Sequence, residues 1–194
     1  THSDAANQAM LAAINNFGGL DILISNAGAA HAGPMLGISN EELRNAFELN
    51  FFSHYSFSTE AAKILKDQNR GGQILFNISK QAVNPGKNFG AYGLPKATTF
   101  FLMRQLALEL GSDGIRVNGI NADRIRSGLL TDDFISSRAK SRGVSESEYM
   151  AGNLLNKEVT AEHVADAFTA LACAESTTGH VMTVDGGNIE ASLR

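Results

Sequence analysis

Tyr92 and Lys96 stand four residues apart within 91–110, a stretch with the composition of a helix, so their side chains share one face a turn apart. Together they can do acid–base chemistry that neither does alone. A phenol with a pKa near ~10 exchanges protons poorly at neutral pH, whereas an ammonium a few ångströms away favours the phenolate. A depression of about 2–3 units corresponds to roughly 3–4 kcal/mol of differential stabilisation and brings the phenol into working range. A Tyr-x-x-x-Lys pair alone is common in ordinary amphipathic helices, so its weight depends on the surroundings. Ser79 closes an apolar run, 73–79, that reads as a strand. A hydroxyl at the carboxyl edge of such a strand can face a ligand, or it can simply cap the next turn. Asn50 lies in mid-helix, where an amide is either structural or placed for chemistry.

The elements that must carry these residues follow from the apolar pattern. Runs 20–25, 73–79, 115–121 and 180–184 read as strands, and the first three are aliphatic on both faces, as in a parallel sheet covered on two sides. A helix over 4–17 stops at Gly18-Gly19. Ser39 and Glu42 form a capping box that opens a helix running to 68. The helix 91–110, with Pro95 in its first turn, stops at Gly111, and another spans 160–174. The alternation predicts right-handed βαβ crossovers and an open α/β parallel sheet with helices on both faces, one domain over 1–194. The polar insert 143–148 reads as part of a mobile flap. No strand–GxGxxG–helix unit is found, and the pairs Gly18-Gly19, Gly71-Gly72 and Gly186-Gly187 have neither its spacing nor its context. A longer parent protein is therefore expected, carrying the first βα units.

The bulk properties exclude several classes. The 194 residues, 43% of them hydrophobic, suffice for a real core, and a net charge of −4 gives no basic surface for nucleic acid or anionic lipid. No apolar run approaches the ~20 residues of a membrane span. The first residues lack a secretion signal, and Cys173 is the sole cysteine, which fits a reducing compartment, the cytoplasm. Cys173 itself reads as a buried small hydrophobe. His2, His31, His54, His163 and His180 are scattered, so no metal site is expected. Phe47, Phe51, Phe52, Tyr55 and Phe57 wrap most of the way round their helix, which predicts burial on all sides; stacking on a cofactor is the alternative.

The string ILFNISKQAVNPGKNFGAYGLPKA resembles the active-site stretch of the short-chain dehydrogenase/reductase family, whose serine and tyrosine fall on Ser79 and Tyr92. FELNFFSHY is similar to the family's asparagine helix, DILISNAG to its Asn-Ala-Gly turn (with Ser25 for the first Asn), and GIRVNGIN and HVMTVDGG to its last strands. The resemblance implies a Rossmann-like fold of which this chain supplies strands four to seven. It also implies an NAD(P)-dependent alcohol/carbonyl oxidoreductase with Asn50, Ser79, Tyr92 and Lys96 as catalytic residues. In it the backbone of Asn50 holds a relay water. Cofactor contacts are implied for Asn26, Ala27, Gly28, Tyr92, Lys96, Ala122, Asp123 and Ile125, and a homodimer or homotetramer through helices 39–68 and 91–110. Ala122-Asp123 stands where the family usually has Pro-Gly. The following Arg124 and Arg126 either meet an anionic or hydroxyl-rich substrate or are solvated loop charges. NLLNKEVTAEHVADAF and TTGHVMTVDGGNIEASLR look like the dehydrogenase half of bacterial bifunctional aldolase/dehydrogenases of deoxy-sugar breakdown, which implies lactaldehyde or a related sugar-derived substrate and favours NAD. Two other readings stay open: a catalytically incomplete structural module, and an epimerase or dehydratase of the extended family. The latter would need a sizeable sugar-nucleotide domain after Lys96.

Overall fold

The structure is a computed structural model that describes residues 4–30 and 32–188. His2 and His31 lie outside the described residues, as does the end of the last resembling string. In chain order the main elements are α1 (Ala5–Phe17), β1 (Ile22–Ser25), α2 (Asn40–Phe47), α3 (Ser53–Gln68), β2 (Gly72–Asn77), α4 (Gly90–Leu110), β3 (Ile115–Ala122), α5 (Asp132–Arg142), α6 (Glu146–Met150), α7 (Ala161–Cys173) and β4 (Val181–Val184). The four strands form one sheet in the order β1-β2-β3-β4, every pair parallel. This is the predicted α/β architecture.

The strand register sorts the side chains into two layers. Ile74 and Phe76 of β2 and Ile115 and Val117 of β3 point to the side where Leu65 of α3 and Met103, Leu106 and Leu110 of α4 complete a buried cluster. Leu75 and Ile120 point the other way and meet Val164, Phe168 and Leu171 of α7. Burying aliphatic residues on both faces is what allows β2 and β3 to be central strands. Among the described residues strand β1 pairs only with β2. Its register puts Ile22 and Ile24 on the α7 side, beyond the reach of α7, and Ile24 is 51% exposed.

Several boundaries differ from the sequence reading. The helix expected over 39–68 is two helices joined by a π-helical turn at Glu48–Phe52, where the Ser53 N–H reaches back to the Glu48 carbonyl. The capping box at Ser39 and Glu42 is formed as predicted. Strand β2 stops at Asn77, so Ser79 lies two residues beyond it and caps a short 3-10 turn, Lys80–Ala82. Helix α4 starts at Gly90, which puts Pro95 past the first turn. Residues 132–150 hold two helices where only a polar insert was read. They have a small core of their own, built from Leu130, Ile135, Ala139, Tyr149 and Met150.

Two burial expectations fail. Cys173 is exposed, because α7 turns Val164, Ala167, Phe168 and Leu171 inward and Cys173 falls outside that stripe. The aromatics around the π turn are not buried on all sides: Phe52 and Tyr55 are exposed, and Phe47, Phe51 and Phe57 are half-buried. Among the described residues no helix is long and apolar enough to cross a membrane.

Candidate active site

The carboxyl ends of β2 and β3 open into a cleft of about 890 Å³ walled by the loops after them, the start of α4, and α5. Ser79, Tyr92, Ala122, Asp123 and Ile125 all line it. Tyr92 is 7% exposed and lines the cleft, whereas Lys96, 2% exposed, is buried behind it and is not part of the lining. Lys96 Nζ lies 5.8 Å from the centre of the Tyr92 ring and donates a hydrogen bond of 2.9 Å to the Asn77 carbonyl at the end of β2. The Tyr92 hydroxyl is hydrogen-bonded to the side chain of Ser79, whose Oγ also accepts from the Gln81 N–H. Serine, tyrosine and lysine thus converge where the sequence places them.

The electrostatics correct one expectation. Burial raises the Tyr92 pKa above its ordinary value, and the hydrogen bond from Ser79 offsets this only in part. The depression expected from Lys96 is absent because the ammonium is aimed at the Asn77 carbonyl, beside the ring. Burial also costs the lysine charge, bringing its pKa from 10.5 down to about 8.

Asn50 is almost fully buried, and its side chain works as a clamp. Its Oδ1 accepts from the Ala29 N–H (3.1 Å), while Nδ2 donates to the Ala29 carbonyl (2.9 Å) and the Ala46 carbonyl (3.0 Å). The Asn50 carbonyl, released by the π turn, accepts a hydrogen bond from Thr99 Oγ1 at 2.8 Å. This clamp presses the Asn26–Gly28 turn onto the lysine. A Cβ added at Gly28 would stand 2.9 Å from Asn50 Oδ1 and 3.6 Å from Lys96 Nζ. Asn26 is tied across the sheet as well, its Oδ1 accepting from Asn77 Nδ2 at 2.6 Å.

The loop after β3 explains the departure from Pro-Gly. The Asp123 carboxylate is a hub that accepts from Lys80 (3.0 Å) and from Asn188 (2.6 Å) and pairs with Arg124 (3.5 Å). Arg124 takes a left-handed backbone, φ 53°, unusual for a residue with a side chain. Its guanidinium donates to the Tyr149 carbonyl (2.6 Å) and lies 4.8 Å from the Tyr149 ring centre. Arg126 pairs with Asp132 and Glu158. The Arg124 side chain is only 11% exposed and fastens the loop to Tyr149, whereas Arg126 is a solvated loop charge in exposed ion pairs. The side chain of Ile125 packs toward the α7 cluster.

Sequence reading passed over several residues here. Thr99 lies one turn after Lys96 on the same face of α4, a spacing that could have paired it with Asn50. His54, four residues after Asn50, holds Ser25 Oγ at 2.6 Å and so accounts for serine in place of asparagine. Phe134, Arg138 and Arg142, spaced by four, form a stripe on α5 that lines the cleft. Among the described residues no group of His, Cys, Asp and Glu could hold a metal ion.

A parallel α/β sheet with such a cluster at its carboxyl edge places the chain among Rossmann-like domains. A family model described as enoyl-(acyl carrier protein) reductase matches residues 1–188. YuxG of Bacillus subtilis strain 168, described as an uncharacterized oxidoreductase, is 36% identical over 179 residues, which are 88% of this chain and 26% of that protein. The 7alpha-hydroxysteroid dehydrogenase of Escherichia coli K12 is 32% identical over 180 residues, 92% of this chain and 67% of that protein. In fold, the carveol dehydrogenase of Mycobacterium avium, solved in complex with NAD, superposes with a TM-score of 0.89 at 22% identity, over 97% of this chain and 72% of that one. The chain belongs to the short-chain dehydrogenase/reductase family. It spans about a quarter of the length of the Bacillus relative and about two thirds of the Escherichia one.

Proposed function

We propose that the full-length protein is an NAD(P)-dependent oxidoreductase that interconverts an alcohol and a carbonyl, with this cleft as its active site. The reading is carried by Ser79 and Tyr92, hydrogen-bonded to each other in the wall of one cleft, with Lys96 buried behind them 5.8 Å from the Tyr92 ring centre. The residues present fit a nicotinamide nucleotide. Lys96 spends one of its three donors on the Asn77 carbonyl, which leaves others for a ribose hydroxyl. The side-chain-free Gly28 keeps the neighbouring turn close to that ammonium. Asn26, Ala27 and Gly28 would flank the nucleotide, and the backbone of Ala122, Asp123 and Ile125 would border its nicotinamide end. When bound, the nicotinamide supplies or takes up the hydride.

The chain's own residues handle the substrate oxygen and its proton. Ser79 Oγ holds the oxygen by a hydrogen bond. Tyr92 Oη passes the proton to or from it, at a distance set by the Ser79–Tyr92 hydrogen bond. Burial favours the protonated phenol, and Lys96 stands 5.8 Å from its ring centre with donors left for the ribose. Asn50 holds the turn over the lysine, and its carbonyl offers a second acceptor site for a relay water.

A finer reading is the dehydrogenase half of a bifunctional aldolase/dehydrogenase acting on lactaldehyde or a related sugar-derived compound. The C-terminal wording supports it, as does a relative long enough to carry a further domain. Association into a homodimer or homotetramer through 39–68 and 91–110 belongs to the same reading. It is supported by the apolar side chains of Phe52, Tyr55, Phe101 and Leu108 on the outer faces of those helices, Leu108 being 79% exposed.

The test is an assay of the full-length protein with NAD+ and NADP+ separately against short 1,2-diols and hydroxyaldehydes, followed by absorbance of the reduced cofactor. Turnover that saturates in one cofactor is the expected result. No reduction of either cofactor, with no cofactor binding at millimolar concentration, contradicts the reading.

A further inference from the structure

We infer that the outer half of the cleft is an anion site built around Arg138, and that the substrate carries a carboxylate or phosphate on the chain beyond its reacting hydroxyl or carbonyl. The inference rests on the oxidoreductase reading for the reacting end of the substrate, and among sugar-derived compounds it selects an acid or a phosphate over neutral lactaldehyde. Its own support is the charge of the wall opposite. Lys80, Lys87, Arg124, Arg138 and Arg142 line the cleft against a single carboxylate, Asp123. That carboxylate is already committed to two of these cations, Lys80 and Arg124. Among the described residues, Arg138 and Arg142 have no carboxylate within ion-pairing distance.

Arg138 is held in place by rings in place of a counter-ion. Its guanidinium carbon lies 5.2 Å from the ring centre of Phe89 and 5.7 Å from that of Phe134, and the two rings meet edge to face at 5.7 Å. Its Nε is buried and has no hydrogen-bond partner. A buried, unpartnered donor needs an explanation, and an arginine oriented by aromatic faces keeps both its charge and its planar donor edge for a ligand. Phe89 immediately precedes α4, which carries Tyr92, so this arginine and the proton-transferring phenol are positioned by the same segment. Arg142, one turn further along α5 and 5.3 Å from the Tyr149 ring centre, extends the positive wall toward the cleft mouth. Carboxylate and phosphate are both planar or trigonal oxygen arrays that a guanidinium can grip with paired hydrogen bonds.

The experiment uses the full-length protein and two matched carbonyl pairs, acetoacetate with methyl acetoacetate and dihydroxyacetone phosphate with dihydroxyacetone. Reduction rates are measured for each, and binding of each is measured by calorimetry. In at least one pair the acid-bearing member is expected to have a kcat/KM and an affinity about 10- to 100-fold higher, as a charge-assisted contact provides. The pair that shows it tells carboxylate from phosphate. Arg138→Leu should collapse that ratio at least about tenfold, and Arg138→Lys, which keeps the charge without the planar donors, should fall between. Lys140→Leu, which removes the same charge from α5 outside the cleft, should leave the ratio as it was. Ratios near one in both pairs overturn the inference, as does a high ratio indifferent to Arg138→Leu. Absence of turnover with all four compounds counts against the oxidoreductase reading, while the binding ratios still decide the anion site.

Discussion

His54 is buried beside the Asn26–Gly28 turn, its Nδ1 hydrogen-bonded to Ser25 at the end of β1. Burial first, and the charge of Lys96 second, bring its pKa from 6.5 down to about 3, against a raising contact with the Ala27 backbone. The folded ring is therefore neutral where the unfolded chain takes up a proton. Its contribution to stability is complete above pH 6.5 and is lost as pH falls toward 3. At pH 4.5 the loss should be about 2–3 kcal/mol. Urea unfolding at pH 7 and at pH 4.5 checks this, because His54→Asn should remove that much of the pH-dependent difference. Gly28 gives a second test at this scale. A Cβ there would stand 2.9 Å from Asn50 Oδ1, so Gly28→Ala must displace the clamp. It should lower cofactor affinity about tenfold or more while costing only about 1–3 kcal/mol of stability, seen by comparing cofactor titration with thermal unfolding.

At the scale of elements, the π turn and the contact between β3 and α4 set the position of the chemistry. Thr99→Val removes the donor to the Asn50 carbonyl and leaves a buried acceptor in the turn short of a partner, at a cost of about 1–3 kcal/mol by chemical denaturation. Gly119 marks where β3 touches α4, since a Cβ there would meet Met103 Sδ at 2.8 Å and Ile78 Cγ1 at 2.9 Å. Gly119→Val should likewise cost about 1–3 kcal/mol, by pushing the helix that bears Tyr92 off the sheet. The alternation of strands and helices was legible in the sequence because β2 and β3 are apolar on both faces and most helices carry capping or stop residues. The π turn was not, since one extra residue leaves the apolar periodicity on either side intact. Helix α5 was missed because only Ile135 and Ala139 of its eleven residues are buried, too few to write a period into DDFISSRAKSR. Ser79, Tyr92 and Lys96 were legible through spacing and neighbouring strings. The raised pKa of Tyr92 was not, for burial is a property of packing and not of the spacing between a phenol and an amine. The two arginines read from the loop are bound to other parts of the chain, and Arg138 and Arg142, which have no carboxylate partner among the described residues, sit on the helix that was not foreseen.

At the scale of the molecule, the sheet leaves β1 with one unpaired edge and with Ile22 and Ile24 uncovered, while the outer faces around Phe52 and Phe101 are apolar and open. Exposed apolar surface of this kind is normally covered. Phe101→Glu with Leu108→Glu should therefore shift the full-length protein to a smaller species in light scattering without altering its far-ultraviolet dichroism. The central claim concerns one proton. The most direct measurement is Tyr92→Phe in the full-length protein, with turnover and cofactor affinity determined on the same preparation. In the proposed function the phenol moves the proton, so turnover should fall about 10²–10⁴-fold while cofactor affinity stays within about threefold. Near-normal turnover in that variant would contradict the account.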